Sequence, residues 1–173
     1  LALGLRQRGF DILPVKPIGA GGVEIDGRSV SEDVLVYKKI AGVNESPLVM
    51  NPICLKRPAS PHFAAEMEGI RIDLDQIHQT LDLLANQHQA LLIEGVGGWL
   101  VPLNAHQTVA DLARRLELPV LVVSANRLGT INHTLLTIQA IRNSGIEPAG
   151  VIYTHLTPGP MSDLQQNNIE TIQ

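Results

Sequence analysis

Four short apolar runs, separated by stretches long enough to form helices, most narrow the folds open to this chain. They are Ile12 to Val15, ending at Lys16-Pro17; Ala90 to Ile93, closing on Glu94-Gly95; Val120 to Ser124, introduced by Pro119; and Val151 to Thr154, introduced by Gly150. A strand with one wet face alternates polar and apolar residues. Runs without alternation read as strands buried on both faces, as in doubly wound parallel sheets. Between them, Asp73 to Gln87 carries Leu74, Ile77, Leu81 and Leu84, the spacing of one helix face. Thr108 to Leu118 does the same with Val109, Leu112, Ala113 and Leu116, and Ile131 to Asn143 with Ile131, Leu135, Ile138 and Ile141 before Ser144-Gly145. A further helix is expected over Ser31 to Ile40. The glycine-rich segment 17–30 reads as a loop. Segment 41–62, with Pro47, Pro52, Pro58 and Pro61, reads as an irregular surface excursion. Alternation of strands and helices predicts an α/β fold with a mainly parallel sheet flanked by helices.

Composition supports this reading and excludes others. At 173 residues the chain suits one domain, taken as spanning 1–173. Apolar residues make up 45%, enough for a core of Leu, Ile, Val and Ala, and only 3% are aromatic. With a net charge of −4 and no basic block, no nucleic-acid or membrane surface is expected. Cys54 is the single cysteine, which excludes an internal disulfide framework and fits a reducing cytoplasm. No apolar run approaches the roughly 20 residues of a membrane span, and no signal peptide is visible. The chain opens without Met inside an apparently helical segment, Leu1 to Arg6, and is expected to be a cut piece.

In open α/β sheets, ligands bind beyond the carboxyl ends of the strands. That rule directs attention to Lys16-Pro17, Glu94 to Gly98, Ser124 to Asn132 and Thr154-His155. A carboxylate such as Glu94 at a buried strand end is suited to Mg²⁺, and Gly95, Gly97 and Gly98 would let backbone approach a phosphate or substrate. The plain alternative is a glycine turn that ends the strand. Lys16 could neutralise a phosphoryl group, or be a solvated loop lysine. Asp33 could be a ligand, or an acid favoured by the first turn of a helix. The segment from Asn126 to His133 offers backbone N–H groups to an anion, or is an ordinary capped helix start with Thr130 as the cap. The six histidines show neither HxxxH nor HExxH spacing, so no zinc site is expected. No G-x-x-x-x-G-K-S/T phosphate loop occurs in the 173 residues.

Taken together these segments resemble one family. Glu94-Gly95-Val96-Gly97-Gly98-Trp99-Leu100-Val101-Pro102-Leu103 looks like the EGxGGxxxPL signature of dethiobiotin synthetases, and Asn126 to His133 with Thr134 to Thr137 resembles their following motif. Lys16-Pro17 is similar to their KPV element, and Ser60-Pro61-His62 to their substrate-side SPH. The resemblance implies a three-layer P-loop-type fold, a homodimer with active sites at the subunit interface, and closure of a cyclic urea from 7,8-diaminononanoate and CO₂ (or bicarbonate). ATP would be the co-substrate. It implies that Asp33 and Glu94 hold Mg²⁺, that Lys16 stabilises the transferring phosphoryl group, and that Pro61, Gly97 and Gly98 line the diamine pocket. Gly129, Thr130, Ile131 and Asn132 would present backbone to the substrate carboxylate, in the neighbouring subunit's site. Glu94, Gly95 and Thr154 fall to the nucleotide.

The chain also departs from that pattern. The phosphate loop is absent, so these 173 residues on their own are expected to be inactive. Ala20 stands where a hydroxyl residue is usual, and Thr154 where some members carry an adenine-reading asparagine. Two alternatives stay open at this stage. One is an amidoligase of the cobyrinate diamide synthase kind, against which the SPH element and the Gly129–His133 stretch argue. The other is a dimeric binding or regulatory module without a phosphate loop.

Overall fold

The computed structural model describes residues 1–155 and 159–173. The chain falls into two compact units, Leu1–Leu112 and Ala113–Gln173.

The first unit begins with α1 (Ala2–Arg6) and β1 (Ile12–Val15), followed by three short strands, β2 (Ile18–Ala20), β3 (Val23–Ile25) and β4 (Arg28–Val30). Then come α2 (Glu32–Ala41), α3 (Pro47–Met50), β5 (Ile53–Leu55), α4 (Pro61–Glu68), α5 (Leu74–Ala85) and β6 (Ala90–Ile93). Strand β1 pairs in parallel with β6, and β2 with β5, while β3 and β4 form an antiparallel hairpin. The core gathers Leu13, Val15, Ile18, Val30, Val34, Met50, Leu55, Ile77 and Leu103, all essentially inaccessible. Helix α5 buries Leu74, Ile77, Leu81 and Leu84, the four apolar positions that the spacing picks out. It starts where Asp73 accepts from the backbone N–H groups of Asp75 and Gln76, a side-chain cap that satisfies two donors of the first turn. The unit boundary falls within α6 (Val109–Leu116).

In the second unit, β7 (Leu121–Ala125) pairs in parallel with β8 (Gly150–Thr154), and α7 (Thr130–Asn143) packs against β7. Helix α8 (Asp163–Ile172) packs on α7 and opens with a reciprocal capping box between Ser162 and Gln165. No helix among the described residues is long and apolar enough to cross a membrane.

The α/β architecture of parallel strand pairs flanked by helices agrees with the sequence reading, and all four expected strands form. Three expectations fail. Segment 17–30 is not a loop but three strands, because Asp26 (φ 49°) and Gly27 (φ 74°) make the turn with two positive φ values that matches hairpin twist. Segment 41–62 is not wholly irregular, since it holds α3 and β5. Burial on both faces holds for β1 but not for β7. There Leu121 and Val123 are 43% and 66% exposed, alternating with buried Val122 and Ser124, because α7 covers one face of a two-stranded ladder.

Candidate functional site

The parallel register of β1 with β6 places Val15 opposite Ile93, so the next residues, Lys16 and Glu94, leave the same edge at the carboxyl ends of both strands. A hydrogen bond from Glu94 N to Val15 O (2.8 Å) carries the pairing one residue further. Lys16 Nζ then donates to Glu94 Oε1 at 2.7 Å and lies 2.8 Å from Asp33 Oδ2. The lysine is buried, only 8% exposed, which rules out the solvated-loop reading. Both carboxylates remain about half exposed. One buried ammonium is thus held by two carboxylates that face solvent, leaving the cluster a net negative charge.

The local structure explains why Asp33 reaches this point. Ser31 caps α2: its Oγ accepts from Asp33 N (3.3 Å) and donates to Asp33 Oδ2 (3.2 Å). Asp33 is therefore both a first-turn acid and a partner of Lys16. Asn51, 1% exposed, ties the two segments together. Its Oδ1 accepts from Ser31 N (2.8 Å), and its Nδ2 donates to Lys16 O (2.7 Å) and Ile53 O (3.0 Å). One turn beyond Asp33 on the same helix face, Tyr37 donates its hydroxyl to Glu94 Oε2. Neither Asn51 nor Tyr37 stands out in the sequence.

The electrostatics follow from this packing. Burial works against the charge of Lys16, but hydrogen bonds from its ammonium to Asp33 and Glu94 outweigh it and raise its pKa. The same hydrogen bond to Lys16 is the main reason that the Asp33 carboxyl titrates below its ordinary value. Burial first, then the hydrogen bond to Glu94, pushes the Tyr37 phenol well up, so it stays a neutral donor.

After Glu94 the chain makes its glycine turn, with Gly95, Gly97 and Gly98 exposed. Gly97 has φ +69°, and a Cβ there would lie 2.9 Å from Val101 Cγ2; at Gly98 a Cβ would meet nothing within 4 Å. Hydrogen bonds from Val109 N to Val101 O (3.0 Å) and Ala110 N to Trp99 O (2.9 Å) close the excursion. Pro61 begins α4 and is buried, and His62 N donates to Pro102 O (3.3 Å). The segment Ser60-Pro61-His62 is thereby joined to the Pro102-Leu103 end of the glycine segment.

Gly129, Thr130, Ile131, Asn132 and Thr154 belong to the second unit. Gly129 (φ 88°), not Thr130, occupies the cap position of α7. Thr130 is inside the helix and buried, its hydroxyl sharing a hydrogen bond with Ser124 Oγ at 2.6 Å, and the Thr134 hydroxyl shares one with the same oxygen at 2.8 Å. Asn132 is exposed. The Thr154 hydroxyl donates to Ser124 O (3.2 Å). Buried Asn126 binds Gln165 O (3.0 Å) and accepts from Asn168 (2.9 Å), fixing the segment that leads into α7.

Among the described residues, no group of three or more His, Cys, Asp and Glu side chains is placed to hold a metal. Asp33 and Glu94 fit a different kind of site. Mg²⁺ commonly takes one or two protein carboxylates and completes its shell with water and phosphate oxygens. Two half-exposed carboxylates converging on one cationic point are suited to that.

Comparison with known proteins bears on the chain as a whole. A family model described as an AAA domain matches residues 7–173. The chain is 38% identical over 168 residues to the ATP-dependent dethiobiotin synthetase BioD of Aromatoleum aromaticum, covering 97% of this chain and 74% of the relative. It is 36% identical over 170 residues to the protein of the same name from Lysinibacillus sphaericus, covering 97% of this chain and 71% of that relative.

Proposed function

This chain belongs to the dethiobiotin synthetase family, and on that footing we propose that it takes part in the ATP-dependent closure of 7,8-diaminononanoate and CO₂ to dethiobiotin. One amine takes up CO₂ as a carbamate. A carbamate oxygen attacks the γ-phosphorus of ATP, and the bond to the ADP oxygen breaks. The second amine then attacks the carbamoyl carbon, closing the cyclic urea and expelling phosphate. Little of this asks for covalent work by the protein. It asks for charge neutralisation at the phosphoryl group and positioning of two amines.

The observation that carries this reading is the Lys16 ammonium held between Asp33 and Glu94 at the carboxyl ends of β1 and β6. Lys16 places a fixed positive charge where the phosphoryl group would be met, and a charge fixed before the reaction costs no reorganisation during it. Asp33 and Glu94 are the residues that would hold Mg²⁺, which when bound supplies further neutralisation of phosphate oxygens. Pro61, Gly97 and Gly98 line the diamine side of the same segment, and Gly95 lets backbone approach the nucleotide. The Gly129 to Asn132 backbone faces the substrate carboxylate across a homodimer interface, with the Thr130 N–H itself kept by Arg127 O, and Thr154 belongs to the base pocket. The protein is proposed to work in the cytoplasm.

The test is a direct assay of the full-length protein with diaminononanoate, bicarbonate, Mg²⁺ and ATP, following dethiobiotin by mass and phosphate by release. One phosphate per dethiobiotin, absent without the diamine, is expected. Phosphate release with another amine or amide acceptor, and none with diaminononanoate, would overturn the reading.

A further inference from the structure

We propose that Tyr37 is a positioning residue for Glu94, its hydroxyl holding Oε2 while Lys16 holds Oε1, so that the carboxylate is oriented beside Asp33 before a divalent cation arrives. The inference rests on the reading of Glu94 as a metal-holding residue. The Glu94 side chain is 53% exposed and sits at the end of a strand, so packing alone does not choose its rotamer. Hydrogen bonds to both carboxylate oxygens do. A single helix supplies two members of the group: Asp33 and Tyr37 lie four residues apart on α2, which is anchored by buried Val34 and Ala41 and by the Ser31 cap.

The chemistry of the second donor matters. A second ammonium at this place would give two cations against two carboxylates and cancel the attraction for a metal ion. A neutral phenol orients Glu94 and leaves the net negative charge of Lys16, Asp33 and Glu94 intact. Residues that hydrogen-bond a ligating carboxylate tune metal affinity although they never touch the metal. Tyr37 matches that description and also lies 57 residues from Glu94 in sequence, so no local motif marks it.

The experiment measures Mn²⁺ binding, without nucleotide, by electron paramagnetic resonance on full-length wild type, Tyr37→Phe, Glu94→Gln and the double variant. The phenylalanine keeps the ring and removes only the hydroxyl. The dissociation constant is expected to rise about tenfold in Tyr37→Phe, with the diamine KM unchanged. If Tyr37 acts through Glu94, the double variant binds no more weakly than Glu94→Gln alone, the non-additive result of a coupled pair. Wild-type affinity in Tyr37→Phe alongside a loss in Glu94→Gln would overturn the positioning role, as would additive losses in the double variant. Wild-type affinity in Glu94→Gln would instead remove Glu94 from the metal site, and the inference with it.

Discussion

Lys16 Nζ lies 2.7 Å from Glu94 Oε1 because the two residues follow register partners, Val15 and Ile93, out of the same parallel ladder. The contact is a product of backbone pairing as much as of charge. Two strand ends 78 residues apart in sequence bring a cation and an anion to the edge where α/β sheets bind ligands.

Replacing Lys16 with Ala in the full-length protein removes the fixed charge while leaving the diamine side of the site untouched. We expect kcat to fall by roughly 10²- to 10³-fold, the usual cost of losing one preorganised charge stabiliser. The KM for diaminononanoate should change little. Steady-state kinetics with varied diamine separates the two parameters. Comparable losses in both would mean that the variant is misfolded rather than chemically disabled.

The same cluster gives stability a defined pH dependence. Lys16 titrates above its ordinary 10.5 in the folded state, so its contribution is complete below that value and is lost as pH rises through the folded pKa. Asp33 titrates below its ordinary 3.8, so its contribution is complete above that value and is lost as pH falls through the folded pKa. In metal-free protein, the thermal midpoint of wild type minus that of Lys16→Met should stay constant between about pH 4 and pH 10 and shrink outside that range, as Asp33 protonates on the acid side or Lys16 deprotonates on the alkaline side. The difference from Asp33→Asn should shrink over the same two ranges, below about pH 4 and above about pH 10, because the pair needs both charges. Differences that are flat across both ranges would mean that the ion pairs do not persist in solution.

How far the site was legible in the sequence follows from the range of each signal. The four apolar runs and the helix-face spacing of Leu74, Ile77, Leu81 and Leu84 are local patterns, and the elements they predict all form. Lys16, Asp33 and Glu94 are marked by position at strand and helix ends and by family resemblance, and their side chains meet. The β3–β4 hairpin carried a local signal that the glycine count hid: Asp26-Gly27 between Val23-Glu24-Ile25 and Arg28-Ser29-Val30. The β2–β5 pairing carried none, since it joins residues 35 apart through backbone alone. Asn51 and Tyr37 were invisible for the same reason. Their partners are fixed by tertiary packing, and neither sits in a pattern that periodicity or turn chemistry would flag.

Asn51 offers a test of how the site is braced. Asn51→Ala leaves the Ser31 N–H and the Lys16 carbonyl without their buried partner, and each such group costs about 1–3 kcal/mol. Denaturant unfolding should therefore show a loss of about 2–6 kcal/mol. Asn51→Asp keeps an acceptor for Ser31 but loses both donated bonds, and it adds a buried charge. It should be no more stable than the alanine variant. A loss below about 1 kcal/mol in both would mean that the segment relaxes around the vacancy or admits water.

The glycine turn after Glu94 separates a structural from a functional requirement. Gly97 has φ +69° and no room for a Cβ against Val101. Gly97→Ala should thus destabilise by about 1–2 kcal/mol from left-handed backbone strain alone, with more from the contact. Gly98 has no positive φ, and a Cβ there meets open space, so Gly98→Ala should leave the thermal midpoint unchanged. If that space belongs to the diamine, Gly98→Ala will nonetheless raise the KM for diaminononanoate, because the added methyl group meets substrate rather than protein. An unchanged midpoint with an unchanged KM would take Gly98 out of the diamine pocket and leave its side of the turn to solvent.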